Sequence, residues 1–344
     1  MVPAIWLRMS GVAIAIDDHD KDPTMKSFLT LAVGAAAALG TLTAPAFAEY
    51  PEKPISIIVP FSAGGGTDMT GRTIADFLSR ELGQPVVVVN RPGAGGEIGL
   101  TELAKADPDG YTLGIINTPG IVTIPIEREA QFEVDAFTFI AGLVEDPATV
   151  SVLADSGIET IEDLVAKAKE EPGGVTVGTQ GIGSAGHISV SLLEQAAGVE
   201  FLPVPFAGAA PSRTALLSGE IMATTANLGE ALNFSEGQDN WVIVGVMSPN
   251  PSPMAPDLPT FKSAGYDIVG GSIRGLGGPA GLPDEVVEKL SAAVASIMEN
   301  PDFLKIAKDT SQPVNYIPAD EYTAILEQSQ TAHQALWDAK PWRE

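Results

Sequence analysis

Strand-like and helix-like segments alternate along this chain from residue 54 onwards, and this alternation limits the folds that it can adopt. The run PISIIVPF (54–61) is apolar and rich in β-branched residues, and the segment after it carries apolar residues at helical spacing, namely Met69, Ile74, Phe77, Leu78 and Leu82. The same pattern of a strand followed by a helix repeats with a strand at 85–90 and a helix at 97–106. A further strand is predicted at 111–117. Such near-continuous apolar strands, each followed by a helix, predict a parallel sheet with helices on both faces.

A second alternating set follows Pro147. It opens with a helix at 160–174, for which Thr160 is the predicted N-cap, and it continues with strands and helices at 175–180, 186–197, 201–206, 211–218, 221–226 and 241–247. The chain has 344 residues, enough to bury two hydrophobic cores, so two lobes are expected. The proline-rich stretch 248–261 is predicted to be an extended crossing, after which helices at 283–298 and 319–338 return to the first lobe.

The N-terminus has the features of a secretion signal. A lysine precedes a short apolar run, and Ala46-Phe47-Ala48 forms a small-x-small cleavage pattern. A membrane anchor is the alternative, but the run is short and is followed by Pro45 rather than by a basic cluster. We therefore expect residues 25–48, within an N-terminal extension (1–48), to be a signal peptide and the protein to be periplasmic. Acidic residues before Met25 favour Met25 over the first residue as the true start.

Charge and cysteine content exclude several classes of function. The formal net charge is −25, from 19 basic and 44 acidic residues, so the field of the protein would repel a nucleic acid or an anionic membrane surface. The chain has no cysteine. Disulfide scaffolds, thiolate metal sites and a cysteine nucleophile are therefore excluded.

A glycine-rich loop follows the first predicted strand, in the run VPFSAGGGTDMTGR (59–72). A phosphate-binding P-loop needs a lysine after the glycines, but Thr67 and Asp68 follow Gly66, and the spacing of a dinucleotide fingerprint is not met either. Glycines let the backbone approach a ligand closely, and free N–H groups at the next helix start favour a carboxylate. We predict a carboxylate site here, with a tight structural turn as the alternative. Asp68 is the predicted helix N-cap, paired with Arg72.

A second glycine-rich loop, GTQGIGSAGHI (178–188), stands at the equivalent position of the second set. Ser184 and His187 raise the alternative of a serine hydrolase, but a nucleophile elbow needs glycine where Ile182 stands. His187 is interpreted either as a residue that packs locally or as one that lines a ligand site. The sequence offers no cluster of histidines or cysteines for a metal, so neither a metal site nor a cofactor is predicted.

An ordered series of motifs resembles the substrate-binding proteins of tripartite tricarboxylate transporters, often called Bug receptors. The series starts with YPEKPISIIVPFSAGGGTDMTGR and NRPGAGG, and it continues with DPDGYTL (107–113), GSAGH (183–187), VPFAGAAPSRTALLSGEI (204–221) and RGLGGPAGLP (274–283). No single motif is decisive, but their order is specific and covers essentially the whole chain after the signal peptide.

The resemblance implies an α/β, two-lobe periplasmic-binding-protein fold of type II. Each lobe would hold a mostly parallel sheet flanked by helices, and crossing strands would join lobe 1 (49–149 plus 250–344) to lobe 2 (150–249). A small organic acid would bind in the cleft, and the lobes would close on it. Carried over by position, the ligand-binding residues are Phe61, Ser62, Ala63, Gly64, Gly65, Gly66, Thr67, Asp68, Asn117, Thr118, Gly183, Ser184, His187, Ala209, Asn227 and Arg274.

Two departures from the family pattern bear on the ligand. Ala226 stands where many relatives have an aspartate, which makes an amino-acid ligand less favoured. Arg274 is the one cation that the resemblance directs toward the cleft, and a structural ion pair is the alternative role for its guanidinium.

The expected function is that of a periplasmic solute receptor, not an enzyme. It would act as a monomer, capture a small carboxylate and deliver it to integral-membrane transporter subunits, with no cofactor and no nucleic-acid partner. A sensor for a membrane signalling partner and a secreted hydrolase that uses Ser184 and His187 remain as alternatives. Citrate, a C4 dicarboxylate, an aromatic acid and a nicotinate-like ring all suit receptors of this kind.

Overall fold

The computed structural model describes residues 50–339 and 341–342, so the predicted signal peptide (25–48) lies outside the described residues. The strands are β1 (Ile55–Val59), β2 (Val86–Asn90), β3 (Thr112–Asn117), β4 (Phe137–Leu153), β5 (Thr176–Thr179), β6 (Leu202–Pro205), β7 (Ala223–Asn227), β8 (Trp241–Val246), β9 (Gly271–Pro279) and β10 (Val314–Pro318). The helices are α1 (Gly66–Leu82), α2 (Glu97–Ala104), α3 (Gly120–Glu127), α4 (Ile161–Glu170), α5 (Ala185–Ala197), α6 (Ala209–Leu217), α7 (Leu228–Ser235), α8 (Asp284–Met298), α9 (Pro301–Asp309) and α10 (Ala319–Ala339).

The strands form one continuous hydrogen-bonded path in the order β2-β1-β3-β9-β4-β7-β5-β6, and β8 and β10 both pair with β4. Within the path, β1 is parallel to β2 and β3, and β5 is parallel to β6 and β7. The pairs that involve β4 and β9 are antiparallel. Each lobe therefore has a parallel sheet of the predicted kind, and the antiparallel pairs come from the strands that join the lobes.

Two strands carry the chain between the lobes. The first part of β4 pairs with β9 as far as Pro147, which is opposite Gly271, and from Ala148 onwards β4 pairs with β7 and β8 instead. On its other edge β9 pairs with β3, where Arg274 lies opposite Asn117. This crossing places the ends of β3, β4, β7 and β9 beside one another at the centre of the molecule.

Each lobe has its own hydrophobic core. In the first lobe, Ile57 and Leu113 of the parallel strands pack against Leu78 of α1 and Leu290 of α8. In the second lobe, Val150 and Val177 pack against α4 and α5 through buried residues that include Leu164 and Leu193. Burial of each such side chain stabilises the fold by roughly 1.5–3 kcal/mol, so both lobes are held by ordinary apolar packing.

The proline-rich stretch 248–261 does not form the predicted extended crossing. It consists mainly of turns, and Phe261 and Ile268 pack into the core of the second lobe. The chain returns to the first lobe through β9 instead. The predicted lobe limits at 149 and 250 remain predictions, although the packing of Phe261 and Ile268 favours a return closer to Gly271.

The N-cap of α4 is the residue predicted from the sequence. Thr160 caps α4, where its Oγ1 accepts the Asp163 N–H at 3.1 Å and the Asp163 carboxylate accepts the Thr160 N–H at 3.0 Å. Helices α3, α7 and α9 were not predicted from the sequence.

Within residues 50–339 and 341–342, no helix combines the length and the apolar character needed to cross a membrane.

Candidate functional site

In the part of the chain that the structure describes, five helices begin at one small pocket between the lobes. Its lining includes first-turn or capping residues of α1 (Gly65, Thr67), α3 (Gly120), α5 (Ser184, Ala185), α6 (Ala209) and α7 (Asn227, Glu230). The first N–H groups of a helix have no partner within the helix, and the helix dipole adds partial positive charge at that end. The pocket is therefore surrounded by N–H groups suited to an anion.

The first glycine loop leads from β1 into α1, and the predicted N-cap of this helix is wrong. Gly65, not Asp68, is the N-cap residue of α1, and Asp68 lies in its first turn. There the Asp68 carboxylate accepts the Gly64 N–H at 3.0 Å and pairs with Arg72 at 2.9 Å, as predicted for Arg72. Burial would raise the pKa of Asp68, but hydrogen bonds from Arg72, the Gly64 N–H and Asn90 hold that pKa below its usual value. Asp68 thus fixes the loop and does not line the pocket.

Gly66 allows a close approach of the two lobes at the pocket. A Cβ atom at this position would lie 2.6 Å from Cγ of Glu230 and 2.7 Å from Nη2 of Arg274, distances that no side chain could tolerate without movement. Glycine is needed here for space, since Gly66 is not among the residues with positive φ. The backbone N–H of the first residue of α1 can therefore reach groups of the second lobe.

Three buried charged side chains meet at the back of the pocket. The guanidinium of Arg274 lies 3.1 Å from Oδ2 of Asp146 on β4 and 3.7 Å from Oε2 of Glu230 on α7. Arg274 is 2 % exposed and Asp146 1 %. Burial raises the pKa of Asp146 to about 6, although the neighbouring Arg274 opposes the shift. Arg274 thus forms the buried ion pair considered for it and also lines the pocket, while its contact with a ligand stays a prediction.

Several buried polar atoms of this site have no hydrogen-bond partner among the described residues. They are Oδ1 of Asn117, Nδ2 of Asn227 and Nε of Arg274, and each of these residues lines the pocket. The other end of the Asn117 amide is fixed, because its Nδ2 donates to Oγ1 of Thr67 at 3.0 Å. An unpaired buried polar group costs about 1–3 kcal/mol. A polar solute with both donors and acceptors would satisfy these atoms.

The two lobes contact each other around the pocket. The Ser62 N–H donates to the carbonyl of Ala207 at 3.0 Å, and Oγ1 of Thr123 donates to the carbonyl of Gly183 at 2.5 Å. The enclosed volume is about 30 Å³, which holds one or two water molecules. This space is too small for an organic acid.

The structure brings together most of the predicted site residues. Those that line the pocket are Phe61, Gly65, Thr67, Asn117, Thr118, Ser184, Ala209, Asn227 and Arg274. Predicted residues outside the lining are Ser62, Ala63, Gly64, Gly66, Asp68, Gly183 and His187, and lining residues that were not predicted are Gly120, Gln180, Ala185, Glu230 and Ser272. Glu230 is the most consequential addition because it places a second carboxylate at the site. Its position three residues after Asn227, at a helix start, was the only local sign of it.

His187 faces a different cavity from the one that holds Ser184. It lines a space of about 340 Å³ together with Thr179, Ser191 and Trp342. Its Nδ1 accepts the Gly183 N–H at 3.2 Å, and Oγ of Ser184 accepts the backbone N–H of His187 at 3.3 Å as the N-cap of α5. These contacts give both side chains a role in shaping the second glycine loop.

A larger cavity of about 600 Å³ adjoins the pocket and shares Thr118, Ala185 and Ser272 with it. Its walls are mostly apolar and come from α5, the 247–254 segment and α10. The smaller pocket is the stronger candidate site because Arg274, Glu230 and the five helix starts line it. Within the described residues, no group of three or more histidine, aspartate or glutamate side chains could hold a metal ion.

Comparison with known proteins gives consistent matches along the chain. Residues 70–339 match the model of the family described as "Tripartite tricarboxylate transporter family receptor". The "UPF0065 protein in gbd 5'region" of Cupriavidus necator is 32% identical over 307 residues, which cover 88% of this chain and 93% of that protein.

Solved structures show the same architecture. The periplasmic binding protein BugD has a TM-score of 0.79 and 29% identity, covering 84% of this chain and 98% of that one. Rpa4515 of R. palustris with adipate has a TM-score of 0.80 and 27% identity, covering 84% and 98%. MatC of Rhodopseudomonas palustris with bound malate has a TM-score of 0.78 and 25% identity, covering 83% and 99%.

Proposed function

Because the chain belongs to the tripartite tricarboxylate transporter receptor family, we propose that this solute-binding receptor captures a small carboxylate in the periplasm and delivers it to integral-membrane transporter subunits. The convergence of five helix starts on the pocket is the observation that carries the proposal. A carboxylate at a helix N-terminus is favoured by about 0.3–1 kcal/mol when exposed and by up to about 2 when partly buried. Several such ends acting together favour an anionic group over a neutral one.

The unpaired atoms of the pocket support an oxygen-rich solute. Nδ2 of Asn227 and Nε of Arg274 can donate to a carboxylate, and Oδ1 of Asn117 can accept from a hydroxyl or a protonated group. The adipate and malate in the two R. palustris structures are both dicarboxylates, which agrees with this chemistry. We therefore place a di- or tricarboxylate first among the candidate ligands.

Capture would work by a shift of the equilibrium between open and closed lobes. Thr67 and Asn117 belong to one lobe, and Ala209 and Asn227 belong to the other, so a solute between them gains its full set of contacts only when the lobes are closed. A ligand favours the state with which it makes more contacts. The closed lobes would then present the surface that the membrane subunits bind.

A thermal-shift panel on the purified protein tests this function. The panel contains citrate, L-malate, adipate, an aromatic acid, an amino acid and a neutral sugar as control. At a hundred times its dissociation constant a ligand adds about 2.7 kcal/mol of stability, which for a protein of this size raises the midpoint by roughly 2–4 °C per kcal/mol. A rise with one or more carboxylates and none with the sugar supports the proposal. A rise with the sugar or the amino acid alone contradicts it.

We propose no catalytic role for Ser184 and His187. Oγ of Ser184 accepts the backbone N–H of His187, and the His187 side chain lines a different cavity. A nucleophilic serine needs its hydroxyl within reach of a base, so this arrangement disfavours a hydrolase. Ester turnover that is lost in Ser184→Ala would overturn this view.

A further inference from the structure

The carboxylate of Glu230 accepts hydrogen bonds at the starts of two helices that belong to different lobes. Oε1 of Glu230 accepts the Gly66 N–H of α1 at 2.5 Å, and Oε2 accepts the Asn227 N–H, just before α7, at 3.0 Å. Glu230 itself lies in the first turn of α7 and is 8 % exposed. The side chain therefore reaches across the cleft from the second lobe and fills the anion position at the start of α1.

We propose that Glu230 is an internal competitor of the solute, which occupies the α1 start in the ligand-free protein and must leave it when a solute carboxylate binds. This inference rests on the proposed carboxylate function and names a specificity-determining residue within it. Glu230 would hold the empty lobes together through Gly66, and it would lower the affinity for any acid that needs the same N–H group.

Space and charge both prevent Glu230 and a solute carboxylate from sharing this position. The pocket encloses only about 30 Å³ beside the Glu230 side chain, far less than an organic acid occupies. Arg274 supplies one positive charge, and Asp146 and Glu230 already lie within 3.1 Å and 3.7 Å of it. A solute carboxylate brought to the Gly66 N–H while Oε1 of Glu230 still accepts from it would meet a like charge at contact distance in a buried site, which is strongly unfavourable.

Glu230 can keep one of its two hydrogen bonds after it is displaced from Gly66. Its Oε2 contact to the Asn227 N–H lies wholly within the second lobe, so that contact can persist when the lobes separate. Only the Gly66 contact crosses the cleft. Exchange of Glu230 for a solute carboxylate at Gly66 therefore leaves the start of α7 capped.

Titration calorimetry with adipate and L-malate on the wild type and Glu230→Gln tests the competition. Removal of the competing charge should tighten binding of at least one acid by about tenfold, equivalent to about 1.4 kcal/mol. Glu236→Gln is the matched control, because Glu236 is exposed at the end of α7 and its change removes the same charge. Unchanged or weaker binding in Glu230→Gln, with the wild type binding, overturns the competition while leaving the proposed function intact. No binding of either acid to either protein, together with no rise for any acid of the thermal-shift panel, contradicts the proposed function as well.

A second readout needs no solute. Because the chain has no cysteine, Glu81→Cys on α1 and Glu170→Cys on α4 allow one spin label on each lobe. Pulsed dipolar spectroscopy measures the distance between the two labels. Without a solute, Glu230→Gln should increase the population of molecules whose distance between the labels differs from that of the labelled parent. A distance distribution identical to that of the labelled parent shows that Glu230 does not hold the lobes together.

Thermal unfolding checks that Glu230→Gln is folded. If it is not, Glu230→Ala replaces it in both experiments, because alanine removes both the carboxylate charge and the contact to Gly66. The same two changes are then expected, and their absence in folded Glu230→Ala counts against the proposal.

Discussion

At the scale of single residues, Arg274 matters most because its one positive charge lies beside two buried carboxylates. Its guanidinium pairs with Asp146 at 3.1 Å and lies 3.7 Å from Glu230. Arg274→Gln would leave both acids buried without a cation. The free energy of unfolding should fall by about 3–5 kcal/mol, the usual loss when one partner of a buried pair is removed. Urea unfolding at neutral pH measures it.

An exposed ion pair supplies the control for Arg274. Arg80 pairs with Asp76 one turn away on α1, with both side chains largely in solvent, so Arg80→Gln should cost less than about 1 kcal/mol. Adding Asp146→Asn to Arg274→Gln should recover part of the loss, because one of the two stranded charges is then gone. A double variant no more stable than Arg274→Gln would show that the Asp146 contact contributes nothing.

At the scale of elements, the start of α1 can be tested with two adjacent glycines. A Cβ at Gly66 would lie 2.6 Å from Glu230, whereas a Cβ at Gly65 would lie 3.4 Å from its nearest neighbour. The same Cβ would lie 2.7 Å from Nη2 of Arg274, which lines the pocket, so the guanidinium would have to move. Gly66→Ala should therefore weaken binding of an acid from the panel by at least about tenfold, since overpacking costs about 1–3 kcal/mol. Gly65→Ala should stay within about threefold by calorimetry, and equal losses in both would contradict the close-approach role of Gly66.

The start of α5 has a polar N-cap that can also be tested. Oγ of Ser184 accepts the His187 N–H at 3.3 Å, so Ser184→Ala should lower the free energy of unfolding by about 1 kcal/mol. Ser191→Ala on the same helix, away from the cap, should stay within about 0.5 kcal/mol. Urea unfolding of the three proteins compares them. Equal stability of Ser184→Ala and the wild type would show that this cap is dispensable.

The elements with local signals were predictable from the sequence, and those defined by distant partners were not. Helices α1 and α4 follow from apolar spacing, and α4 also from the Thr160 cap. Strand β9 escaped prediction because its sequence, GSIRGLGGP, is rich in glycine and lacks alternation. In the fold, those glycines allow close packing, since a Cβ at Gly275 would meet the ring of Tyr322 on α10. The crossing was therefore assigned to the proline-rich stretch instead.

At the scale of the whole molecule, the site depends on contacts that no local pattern encodes. The two glycine loops and Arg274 could be found from sequence because each carries a local or family signal. Glu230 could not be assigned to the site, since its reach to Gly66 spans 164 positions in the chain and depends on how the lobes meet. Asp146 was missed for the same reason, because it pairs with Arg274 across the strands that join the lobes.

The pH dependence of stability gives a test at this scale, because Asp146 lies where the two lobes are joined. Burial raises its pKa in the folded protein to about 6 from an ordinary value of 3.8. The folded state then binds the proton more tightly than the unfolded state, so this contribution to stability is fully present below about pH 4 and is lost as the pH rises through about 6. In Asp146→Asn the group cannot titrate. The stability of the wild type relative to this variant should therefore fall by up to about 3 kcal/mol between pH 4 and 7, and stay constant above that range.

Urea unfolding at pH 4, 5, 6, 7 and 8 measures this difference, with Asp155→Asn, which removes an exposed carboxylate, as the control. The control should show no comparable change relative to the wild type, because an exposed acid is solvated in both states. A wild-type advantage over Asp146→Asn that instead rises with pH would mean that Arg274 outweighs burial and keeps Asp146 ionised. The buried cluster would then hold two carboxylates permanently charged against one guanidinium, and a solute carboxylate would have to rely on the helix starts alone.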